Sequence, residues 1–115
     1  MLTDQHPYSL IYEKNGIAYV SGATTIDYTT HEPVEGRREA LDAALLEVEK
    51  RLCTIGLNLS NVVKVTYFLI DGTLRKEAND QFQERFCEPR PARTVVGVSS
   101  IPYGGKCVID AIAHR

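Results

Sequence analysis

The chain has 115 residues, 43% of them hydrophobic and 24% charged, with a formal net charge of −2. That length makes a single domain over residues 1–115, with a modest core and no room for a deep enclosed cavity, so an enzyme built on it is expected to place its site between subunits. The acidic balance and scattered basic residues leave no footprint for nucleic acid, and no apolar run approaches the ~20 residues of a membrane span.

In chain order, Tyr8 to Glu13, Asn15-Gly16 and Ile17 to Thr25 read as a β-hairpin closed by a two-residue turn. A polar loop with Pro33 follows. From Gly36 the period becomes helical: Leu41, Ala44, Leu45, Val48, Leu52 and Ile55 form one apolar stripe, with Gly56 as the stop. Glu47 and Arg51 are read as an i,i+4 pair on the wet side, and Glu47-Val48-Glu49 as a solvated face rather than paired catalytic acids.

Val62 to Ile70 is nearly continuously apolar and β-branched, which suits a central strand buried on both faces and ended by Asp71-Gly72. Thr73 is placed to cap a second helix with Leu74, Ala78, Phe82 and Phe86 as its buried stripe, ended by Pro89 and Pro91. Arg93 to Val98 and Lys106 to Ala113 complete the chain as strands. The order β-β-α-β-α-β-β implies an α+β fold, a mixed sheet with two helices packed on one face. No further helix remains for the other face, so self-association through it is expected.

Cys53, Cys87 and Cys107 are an odd number without CxxC spacing, which points to reduced thiols in the cytoplasm, Cys53 and Cys107 as small core residues. The opening MLTDQHPYS lacks the basic and apolar parts of a signal peptide. His6, His31 and His114 lie in three separate segments and are read as surface residues, with no metal site. Phosphate-binding glycine loops, nucleophile elbows and HExxH are all missing.

Arg93 then stands out. A guanidinium opening the apolar run Thr94-Val95-Val96 is either a solvated strand-end charge or the holder of an anion, for which its bidentate fork is suited. Its surroundings carry a resemblance. Arg90-Pro91-Ala92-Arg93-Thr94, Ile101-Pro102 and Ala111-Ile112-Ala113 resemble the C-terminal signature of the RidA/YjgF family of enamine/imine deaminases. Pro7-Tyr8-Ser9, Tyr19-Val20-Ser21-Gly22, Gly56-Leu57 with Ser60 to Val65, and Asn79 are similar to its other motifs, in order over residues 7 to 113.

The resemblance implies a chorismate-mutase-like subunit in a homotrimer, without a cofactor, with sites in the clefts between subunits. There Arg93 would grip the carboxylate of a small 2-imino or 2-enamino acid while water attacks the imine carbon, with Tyr8, Ser21, Gly22 and Asn79 lining the site. Three positions depart from the pattern: Ala23 replaces a glutamine, Val95 a cysteine, and Val108 the glutamate held to activate the water. Asp110, two residues on and ~7 Å along the strand, does not simply replace it and is read as an interface or solvated charge. Loss of that acid keeps open a second reading, a non-catalytic trimer that binds 2-oxo acids. A third, ribonuclease, is disfavoured by the charge.

Overall fold

A computed structural model describes residues 6–115; of the opening stretch, the part before His6 lies outside the described residues. Five strands and two helices follow in the expected order: β1 (Ile11–Lys14), β2 (Ile17–Thr24), α1 (Arg37–Cys53), β3 (Val62–Leu69), α2 (Arg75–Arg85), β4 (Ala92–Gly97) and β5 (Cys107–His114). No helix among the described residues is long and apolar enough to cross a membrane.

Asn15 and Gly16 both take positive φ (55° and 79°), the backbone that turns β1 into β2 in two residues. Tyr8 to Leu10 precede the paired strand rather than belonging to it. The sheet runs β1-β2-β5-β3-β4, with β3 and β4 parallel around α2 and the other pairs antiparallel. β4 is therefore an edge strand.

One face of the sheet packs on the helices. Ala18, Val20, Val65, Tyr67, Leu69, Ile109, Ala111 and Ala113 meet Leu41, Ala44, Leu45, Val48, Leu52 and Ala78 there. The period of two on the strands and of three to four on α1 explains which residues face inward. Gln81, absent from the apolar stripe of α2, is fully buried because both ends of its amide are used. It accepts from the Tyr67 hydroxyl at 2.8 Å and donates to Asp42 Oδ1 at 2.9 Å. Burial raises the Tyr67 phenol above its ordinary value.

Among the described residues, no helix lies on the opposite face. Its rows follow from the register: Tyr12, Tyr19, Ile112 and Lys64 in one, Asp110 and Thr66 in a second, Val108, Phe68 and Val96 in a third. Tyr12 and Tyr19 are about half exposed. β3 is central, yet only its helix-side residues are buried in the isolated chain. Its continuous apolarity therefore leaves Val63 exposed and Phe68 half-buried on the other face.

Three local expectations need correction. Asp71, not Thr73, is the cap: its Oδ1 accepts from the Thr73 N–H at 2.9 Å and opens a short 3₁₀ turn ahead of α2. Cys53 and Cys87 are exposed and only Cys107 is buried, because Cys53 falls outside the apolar stripe of α1. Glu47 and Arg51 are not on a wet face; the Arg51 side chain is 6% exposed and that of Glu47 15%. Glu49, by contrast, points away to pair with Arg85 at 2.7 Å.

Candidate functional site

The residues singled out from sequence fall into two groups within one chain. Arg93 and Asn79 come together where β4 meets α2. Asn79 Oδ1 accepts from Arg93 Nη2 at 2.6 Å, and the guanidinium carbon lies 5.5 Å from the Tyr67 ring centre and 5.0 Å from that of Phe82. The other terminal nitrogen, Nη1, is buried and has no hydrogen-bond partner among the described residues. Burial lowers the Arg93 pKa, and nearby Arg75 adds to this, but a guanidinium stays charged at any physiological pH. A buried cationic N–H without an acceptor is costly; a carboxylate would relieve it once a small shift of the side chain opens that nitrogen.

The second group lies across the sheet. β2 is three strand spacings from β4, about 14 Å, so Tyr8, Ser21 and Gly22 do not meet Arg93 in the same subunit. Ser21-Gly22 is a bulge, two residues of β2 where β5 passes with one, between the pairs Val20–Ala111 and Ala23–Ile109. The Ser21 hydroxyl donates to the Ser9 carbonyl at 2.7 Å, and the Ser21 N–H donates to the Leu10 carbonyl at 3.0 Å. Its side chain therefore holds the segment that carries Tyr8. A Cβ on Gly22 would stand 2.5 Å from Val108 Cγ1, so that close approach requires glycine.

Beside the bulge opens a cavity of about 460 Å³ whose lining includes Tyr8, Gly22, Tyr28, Glu47, Arg51 and Val108. Arg51 is built into its wall. Nε donates to Glu47 Oε2 at 2.9 Å, Nη1 donates to the Ser21 carbonyl at 2.9 Å, and Cζ lies 5.5 Å from the Tyr28 ring centre. The Tyr28 hydroxyl accepts from the Thr24 N–H at 2.8 Å, which leaves its own proton to donate; burial, its main influence, raises its pKa.

Glu47 and Arg51 were missed as site residues, although a signal existed. Arg51 follows Ala44 by seven and Val48 by three, and Glu47 follows Ala44 by three, so both flank the buried stripe. The folding also brings His6 and His31 to this one cavity, their rings tilted against Tyr8 (centres 5.1 Å apart) and Tyr103 (5.8 Å). No group of three or more His, Cys, Asp or Glu among the described residues is placed to hold a metal. Asp110 faces Thr66 on the open sheet, opposite the bulge, and burial raises its pKa.

The fold is a mixed sheet carrying two helices on one face, with a half-buried arginine on its edge strand and a cavity beside the bulge at the other side. The family model for Endoribonuclease L-PSP matches residues 2–115, and the chain belongs to that family, the YjgF/RidA family. It is 34% identical to a RutC family protein of Aquifex aeolicus over 95% of this chain and 89% of that one. It is 32% identical to the 2-iminobutanoate/2-iminopropanoate deaminase of Bos taurus, over 93% of this chain and 79% of that one. The crystal structure of RidA from an Antarctic Psychrobacter superposes with a TM-score of 0.90 at 28% identity, covering 96% of this chain and 90% of the other.

Proposed function

We propose that this chain hydrolyses small 2-imino or 2-enamino acids to 2-oxo acids and ammonia, as a cytoplasmic homotrimer that needs no cofactor. The observation that carries the reading is the Arg93 guanidinium, held by Asn79 and two aromatic rings with one buried N–H left without an acceptor. A planar carboxylate is the ligand that its fork fits. The relatives named as 2-iminobutanoate/2-iminopropanoate deaminases support the reaction class.

A trimer would complete the site. Arg93 lies on an edge strand whose outer side is unpaired, and Tyr8 and Gly22 lie at the far side of the sheet. Docking the β4 edge of one subunit against the bulge of the next joins the carboxylate holder to the cavity and covers the open sheet face. Bound there, the substrate is oriented by Arg93, and its reacting carbon is presented to the neighbour's cavity.

The test generates 2-iminobutanoate in situ with an amino-acid oxidase and compares wild type with Arg93→Ala. Wild type should accelerate decay of the imine, and Arg93→Ala should lose about 10²-fold or more in kcat/KM. Decay at the spontaneous rate with both proteins, across several imines, would defeat the reading. Val108, an apolar residue in place of the family's acid, favours a second reading: a trimer that binds 2-oxo acids without turnover. Saturable binding of 2-oxobutanoate, lost in Arg93→Ala and unaccompanied by hydrolysis, would select it.

A further inference from the structure

Val108 cannot take a proton, yet the cavity it lines contains a carboxylate from a different element. Glu47, on α1, is the only Asp or Glu lining that cavity among the described residues. It is not a free surface acid: its side chain is 15% exposed, and Arg51, itself 6% exposed, holds Oε2 at 2.9 Å. Arg51 is anchored in turn by the Ser21 carbonyl of the bulge and the face of Tyr28. The remaining oxygen, Oε1, accepts no hydrogen bond among the described residues. A carboxylate that lines a cavity, with one oxygen fixed and the other without a partner, can hold and deprotonate a water there.

We propose that Glu47 is the catalytic base of this chain, doing from α1 what Val108 cannot do from β5, with Arg51 as the residue that positions it. The proposal rests on the deaminase reading above. With the substrate carboxylate on Arg93 of the adjoining subunit, Glu47 takes a proton from water as the water oxygen bonds to the imine carbon. The C=N pair moves to nitrogen, which receives that proton and leaves a carbinolamine. Glu47 then removes the hydroxyl proton as the C=O forms, the C–N bond breaks, and the nitrogen leaves with that proton as ammonia. Glutamate is regenerated, and atoms and charge balance.

The test measures hydrolysis of 2-iminobutanoate by wild type, Glu47→Gln, the double variant Glu47→Gln/Val108→Glu, and Arg93→Ala. Glutamine keeps an oxygen for Arg51, so the fold is retained, as binding of 2-oxobutanoate would verify. Glu47→Gln should lower kcat by about 10²-fold with little change in KM. Restoring a carboxylate on β5 in the double variant should recover at least tenfold of that loss. If Glu47→Gln keeps the wild-type kcat while Arg93→Ala is inactive, the base is elsewhere and the deaminase reading stands. If wild type itself does not exceed spontaneous decay, both readings fall together.

Discussion

Arg93 and Arg51 are both arginines held against aromatic rings, and the difference between them lies in what satisfies their N–H groups. Arg51 has a carboxylate and a backbone carbonyl within the chain; Arg93 has one amide oxygen and a buried nitrogen with nothing. The first is satisfied within the chain; the second is not, and under the proposed function a substrate carboxylate would complete it. The cysteines divide in the same way. Burial pushes the Cys107 thiol up to about 12, so at pH 8 almost none of it is thiolate, while Cys53 and Cys87 are exposed. Titration of the folded protein with a maleimide at pH 8 should modify two thiols quickly and the third only in denaturant. Three equally fast thiols would contradict this packing.

At the scale of elements, the bulge in β2 decides where the chemistry can sit. It breaks the pairing between Val20 and Ala23, turns the Ser21 carbonyl to Arg51, and lets Gly22 lie against Val108. A methyl at position 22 would overlap the Val108 side chain. Gly22→Ala should therefore destabilise the fold by about 1–3 kcal/mol, and Gly22→Ala/Val108→Ala should recover most of that loss, as read by urea denaturation. Equal destabilisation in the single and double variants would mean that the contact is not what limits position 22. Helix α1 contributes through its flank: the residues on the edge of its apolar stripe, Glu47 and Arg51, are the ones that reach the cavity wall.

For the whole molecule, the open face of the sheet is the surface that the proposed trimer would cover. Tyr12, Tyr19, Phe68, Val96, Val108 and Ile112 share it with Lys64, Thr66 and Asp110. Light scattering should give three times the chain mass of 12.8 kDa. Phe68→Asp, which puts a charge into the third row of that face, should shift the protein toward monomer and remove imine hydrolysis with it. A monomeric wild type that still hydrolyses imines would show that one subunit carries a complete site.

Element order and the hairpin turn were legible in the sequence alone, as was the oddity of Arg93 opening an apolar strand. Each depends on short-range regularities: a period of two or of three to four, two residues able to take positive φ, and a guanidinium set in an apolar run. The pairing of Arg93 with Asn79 could be inferred only through resemblance, since fourteen residues separate them and α2 has to fold back onto β4. What only the tertiary structure decided is which side of a helix is wet. Glu47 and Arg51 look like an ordinary surface pair when α1 is considered alone. They become a buried pair because the Ser21 carbonyl and the Tyr28 ring, both more than twenty residues from Arg51 in sequence, close over them. Charge burial is set by the sum of such distant contacts, and no local pattern encodes that sum.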